Sequence, residues 1–141
     1  RGIWRSAAGR RTLHAAGGTL IALGALSWFA VPFVPMHVRG AEQTLTDTLH
    51  VAELALAGPL MLATIGFAAA AFGRGFRTYS AVTVLLMLGF GAWTGTLSDD
   101  LVEGLQTPWL GVIERVSIFS YQLWFAVLAV ALLARASAVR R

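Results

Sequence analysis

Four apolar stretches, each long enough to cross a bilayer as a helix, occupy most of this 141-residue chain and fix what it is able to fold into. A hydrocarbon core of about 30 Å takes roughly 20 helical residues, and inside lipid every backbone N–H and C=O must find its partner within the same helix. The spacing predicts an all-α membrane protein, a four-transmembrane-helix up-down bundle forming a single integral-membrane domain over residues 1–141. Its spans are expected at 15–34, 45–72, 79–97 and 108–134. The composition agrees: 57% hydrophobic and 13% charged residues with a mean hydropathy of +0.69 contrast with about 25% charged residues in an ordinary soluble domain.

The span ends are sorted by charge. All seven acids, Glu42, Asp47, Glu53, Asp99, Asp100, Glu103 and Glu114, border one set of ends. Nine of the eleven arginines border the other; the exceptions are Arg39 and Arg115. Because basic flanks stay in the cytoplasm, this sorting predicts cytoplasmic N- and C-termini, acids on the outer side, and the net charge of +4 serving membrane orientation and not nucleic-acid binding. Abundant Ala, Gly and Arg with no Lys resembles high-GC bacterial usage, so a bacterial inner (cytoplasmic) membrane is the expected location. The lack of cysteine excludes disulfides, thiolate metal sites and cysteine nucleophiles.

Local signals place the helix ends. Thr44 and Asp47 have capping-box spacing at the start of the second span, and Pro59 should kink that span. Thr107 and Pro108 read as N-cap and first residue of the fourth. Between the third and fourth spans, acids alternating with Leu101, Val102 and Leu105 predict a short outer-surface helix over 99–106. Gly91 and Gly95 form a Gly-x-x-x-Gly pair with Gly89 nearby, a pattern that lets helices approach closely, chiefly within the chain and alternatively against a partner. Trp4 and Trp109 fall at the two interfaces, whereas Trp28, Trp93 and Trp124 read as packing residues. Tyr121 and Gln122 are candidates for an interhelical hydrogen bond.

Candidate chemistry gathers at the outer end. Asp47, His50 and Glu53 lie three apart on the second helix, on about one stripe. Glu114 and Arg115 enter the fourth helix at comparable depth, His37 follows the first span, and Asp99, Asp100 and Glu103 would lie over the cluster as a lid. Ion pairing of Arg115 with Glu53 or Glu114 is the plainest use of such a group. Asp47, His50 and Glu53 are alternatively donors for a divalent metal or a cationic substrate, although no paired-histidine zinc motif is present. A haem or chlorin held by His50 or His14 is the remaining cofactor reading. No serine lies in a readable relation to a histidine and an acid, so no catalytic residue is assigned. Carboxylates around His50 would favour its protonated form.

The strings Phe33-Val-Pro-Met-His37, Thr44 to His50, Phe76-Arg-Thr-Tyr-Ser80 and Thr107-Pro-Trp-Leu-Gly-Val-Ile-Glu-Arg115 together resemble the bacterial multi-pass membrane family catalogued as domain of unknown function 998. The resemblance runs from about Gly2 to Leu133. It implies two further membrane helices ahead of this region, making these four spans the C-terminal part of a six-helix protein. It carries over no activity and no catalytic residue; it directs attention to Pro35, His37, Asp47, His50, Pro108, Glu114 and Arg115. Small loops, small-residue faces and the missing catalytic constellation favour a non-enzymatic accessory or stabilising subunit of a larger membrane complex, in contact with lipid and with other membrane subunits, and without a cofactor. A transporter-like module that binds a cation or small cationic solute at the outer cluster is the alternative, and an intramembrane lipid-modifying enzyme the third.

Overall fold

A computed structural model of the protein describes residues 2–38 and 40–139, with side chains from residue 10 to 137 apart from 31 and 39. Helix α1 (Gly2–Ala30) runs into a 3-10 turn (Val31–Phe33). Then come α2 (Leu45–Ala71), α3 (Arg74–Thr96), the short α4 (Ser98–Val102) and α5 (Leu110–Val139). The four long helices each contain a stretch apolar and long enough to cross a membrane.

Local chemistry explains the boundaries. Pro32 and Pro35 cannot donate to the preceding turn, and α1 tightens and stops there. Thr44, with extended backbone (φ −120, ψ 175), caps α2. At its other end Phe72 is extended (φ −111, ψ 172) and so is Gly73 (φ −72, ψ 178). Two extended residues therefore reverse the chain. Helix α3 then begins at Arg74, ahead of the expected Tyr79, because Arg74 and Arg77 are accommodated in its first turns with their side chains exposed. Thr107 to Trp109 form a turn closed by Leu110 N–H donating to Thr107 O at 3.2 Å, so α5 starts at Leu110 and not at Pro108. The short helix expected over 99–106 spans Ser98–Val102 instead, and Gly104 turns the chain just beyond it with φ +74.

The bundle is two antiparallel pairs. In the first, α2 lies along α1. Asp47 bonds His37, His50 bonds the Val34 carbonyl and Thr64 bonds Thr19, so the partner residue on the first arm retreats in step as α2 advances. The Thr64 hydroxyl lies 2.8 Å from that of Thr19 and also donates to its own Leu60 O at 2.7 Å. In the second pair α5 lies along α3: Trp124 Nε1 donates to Ser80 Oγ at 2.9 Å, and Ser117 Oγ to Met87 O at 3.4 Å. Contacts between α2 and α3 are sparser.

The two pairs meet at the arginine-bearing end. Ala16, Ile65, Ala68, Trp124 and Leu128 form the buried cluster, with Phe72, Phe76, Tyr79 and Tyr121 packed on it. Phe76 lies 5.9 Å from the Trp124 ring and Tyr121 stacks on it at 6.1 Å, distances at which aromatic pairs attract. The Arg135 guanidinium sits 4.6 Å over the Phe72 ring, a cation–π contact. At the acid-bearing end the linkers carry the contact: Gly40 (φ +73) and Gly104 (φ +74) face one another, and a Cβ built on Gly104 would lie 3.6 Å from the Gly40 Cα.

Several packing expectations are corrected. Trp124 is fully buried, but Trp28 is 78% and Trp93 52% exposed; their apolar neighbours in sequence do not bring another helix over them. A Cβ added at Gly89, Gly91 or Gly95 meets nothing within 4 Å, so these glycines serve no close approach within the described residues. Gln122 is exposed, and the Tyr121 and Tyr79 hydroxyls are buried without a hydrogen-bond partner among the described residues. Ser80 and Ser117 make the α3–α5 bonds instead. Trp109 is exposed at the acid-bearing end, and the side chain of Trp4, like Arg39, lies outside the described residues.

Candidate functional site

The acid-bearing end is organised by Asp47, which is 6% exposed. As the third residue of α2 it reaches back over the helix start: its Oδ2 accepts from Thr44 N–H at 2.8 Å and from Thr44 Oγ1 at 2.9 Å. This is the carboxylate half of the expected capping box. The same carboxylate also holds the linker after α1. Its Oδ1 accepts from His37 N–H at 2.8 Å and its Oδ2 from the His37 ring Nδ1 at 2.9 Å. Four donors from two segments converge on one side chain, which pins the linker to the second helix. The His37 ring stays about half exposed, and its pair with Asp47 is the only contact within 4 Å between a carboxylate and a basic side chain among the described residues.

One turn deeper, His50 donates from Nδ1 to the Val34 carbonyl at 2.9 Å. The acceptor fixes the tautomer, since a carbonyl only accepts. The bonded partner of this ring is backbone and not one of the carboxylates on its stripe. Glu53 follows on the same stripe at 6% exposure, with no side-chain hydrogen bond or ion pair among the described residues. Arg115 does not reach Glu53 or Glu114. Its Nη1 turns back to the Gly111 carbonyl of its own helix at 2.9 Å, because glycine leaves that helix surface open for the guanidinium.

Between the two pairs lies a cavity of about 290 Å³. Its polar wall includes His37, Glu42, Asp47 and Glu114, and its apolar wall Met36, Val51, Leu101 and Leu110. Of the sequence candidates, the structure brings His37, Asp47 and Glu114 to this cavity and leaves His50, Glu53 and Arg115 off its wall. Asp99 and Glu103 are exposed and Asp100 half-buried on and beside α4. The part of that segment that does cover the cavity is Ser98, Leu101 and Val102, so the segment turns mainly apolar side chains to the cavity and its three acids lie off the wall. No three His, Asp or Glu side chains come together with metal-site geometry among the described residues, so Asp47, His50 and Glu53 do not form a common ligand set. His14 is exposed on α1 toward the arginine-bearing end, far along the helix from His50 and the acids.

Sequence reasoning missed Glu42 on the cavity wall, and the Val34 carbonyl as the partner of His50. The first was readable as an acid in the same linker as His37. The second required knowing where the linker path returns to α2.

Residues 1–131 match the family described as "Protein of unknown function (DUF998)". The chain belongs to this family. No curated protein and no solved structure matches it. The DUF998 match covers α1 to α4 and most of α5, and so takes in the whole of the cavity at the acid-bearing end and the Asp47 clamp. This DUF998 protein is a multi-pass membrane protein in contact with lipid on its exposed apolar faces.

Proposed function

We propose that this DUF998 chain is a non-enzymatic accessory subunit of a larger membrane assembly, docked through the outer half of α3. The observation that carries the reading is the open space beyond Gly91 and Gly95. They lie one turn apart on one face, and a glycine surface that no helix among the described residues covers is suited to receive a helix from another protein. Trp93, exposed beside them, supplies contact area. The spans also have surface to spare, with no more than 28% of any apolar window buried. In this reading the arginine-bearing end is cytoplasmic and the acid-bearing end outside.

Cysteines placed at 91 and 95 and cross-linked in native membranes are the test. A discrete adduct with a second membrane protein is expected, and Gly91→Leu with Gly95→Leu should abolish co-purification of that protein in mild detergent. Recovery of the bare chain alone, before and after the substitutions, would refute the reading.

The outer cavity favours a second reading, a module that binds a small organic cation. Glu42, Asp47 and Glu114 supply negative charge around an apolar wall. Tetramethylammonium should then raise the thermal stability of the wild type and not of Glu114→Gln. A lipid-modifying enzyme draws less support, because His37 is committed to Asp47 and His50 to a backbone carbonyl.

A further inference from the structure

A second opening lies on the flank of the bundle. Where α2 and α3 touch only sparsely, a groove of about 530 Å³ runs between them. Leu62, Ile65, Gly66 and Ala69 form one wall, and Ser80, Ala81, Val84, Leu85 and Leu88 the other, with Arg77 at its end. Gly66, Ala69 and Ala81 keep it wide. Gly66, Ala81, Leu85 and Leu88 are exposed, so the groove is open along its side.

From Arg77 to Leu88 the α3 wall extends about 16 Å at the helical rise. That is close to the depth of one leaflet, half of a core about 30 Å thick. Arg77 stands at the arginine-bearing end, exposed, and among the described residues no carboxylate, carbonyl or hydroxyl is bonded to its guanidinium. A one-leaflet apolar slot ending at an unpaired guanidinium has the charge and length of a single lipid. An apolar protein helix would match the walls but leave Arg77 without an anion.

We propose that the α2–α3 groove holds one acyl chain of an anionic phospholipid, whose phosphate is bound by Arg77. Guanidinium and phosphate pair through two parallel N–H···O bonds, a geometry lysine does not offer. The lipid completes the contact that the two helices do not make directly. This inference is independent of the accessory-subunit reading, which concerns the outer half of α3.

Trp124 provides the readout, because its indole is bonded to Ser80 in the groove wall. The chain is prepared with Trp4, Trp28, Trp93 and Trp109 changed to Phe. It is reconstituted in phosphatidylcholine vesicles containing equal mole fractions of brominated phosphatidylglycerol or, separately, brominated phosphatidylcholine. Brominated phosphatidylglycerol should quench Trp124 at least threefold more strongly than brominated phosphatidylcholine. Arg77→Gln should bring the two lipids level, Arg77→Lys should retain part of the preference, and Ala81→Phe should reduce quenching by both. Circular dichroism of each variant identifies those that keep the wild-type helix content, and only these are compared. Equal quenching by the two lipids in the unsubstituted groove, a preference that survives Arg77→Gln, or no quenching by either lipid because protein fills the groove would each overturn the proposal.

Discussion

The Trp124–Ser80 bond is the best place to test whether α3 and α5 are joined as described. Both residues are buried, Trp124 wholly and Ser80 at 2% exposure, and the bond between them is 2.9 Å long. Replacing Trp124 by Phe keeps an aromatic ring near Phe76 and Tyr121 but removes the only donor of the indole. Interhelical hydrogen bonds in membranes average about 0.6 kcal/mol and reach about 1.7 kcal/mol. Part of the aromatic contact, about 0.5–1.5 kcal/mol for each pair, is lost with the smaller ring, so Trp124→Phe should cost about 1–3 kcal/mol. Ser80→Ala leaves the indole N–H buried without an acceptor, at a cost of about 1–3 kcal/mol. The reverse loss is gentler, because a freed Ser80 hydroxyl has a carbonyl of its own helix one turn back to bond. The double-mutant cycle isolates the bond, and its coupling should fall between about 0.3 and 1.7 kcal/mol, centred near the average of about 0.6 kcal/mol. Reversible unfolding in mixed micelles, followed by circular dichroism, measures each corner. A coupling below about 0.3 kcal/mol, the scatter of independent sites, would refute the pairing of α5 with α3 through these residues.

The two loop glycines and the helical Gly111 should respond in opposite ways. Gly104→Ala forces an L side chain into φ +74 beside Gly40, and should destabilise by about 1–2 kcal/mol. A Cβ on Gly111 meets only the Arg115 guanidinium, at 2.8 Å, and that flexible tip swings away, so Gly111→Ala should be neutral or slightly stabilising in the same assay. Asp47→Ala should speed hydrogen exchange at the His37 and Thr44 amides and leave the Trp124 region protected; equal acceleration at both ends would contradict a local clamp.

The sequence showed the spans more clearly than their neighbours. Runs of apolar residues and the arginines and prolines that end them place α1, α2, α3 and α5, since lipid solvation acts on every face of a helix alike. For the same reason hydropathy could not separate Trp124, which is buried, from Trp28 and Trp93, which are not. An apolar side chain is equally at home against lipid and against protein, so no periodicity marks the packed face. Gly91 and Gly95 suffered from the same ambiguity. Capping was legible because it is local: Thr44 and Asp47 lie within one turn. The remaining bonds of Asp47 come from His37 across a linker whose path no nearby residue dictates. Arg115 was misjudged in a different way; a carbonyl four residues back, exposed by Gly111, competed successfully with the more distant acids.

The two-residue reversal at Phe72 and Gly73 joins two halves that are largely self-sufficient. Thr19 and Thr64 bond inside the first half, Ser80 and Trp124 inside the second. A chain emerging from its N-terminus is therefore able to finish the first hairpin's polar bonds before the second has entered the bilayer. The aromatic seam around Trp124, the Arg135–Phe72 contact and the meeting of Gly40 with Gly104 must wait. Assembly becomes a docking of two prebuilt hairpins, and damage within one should leave the other able to insert.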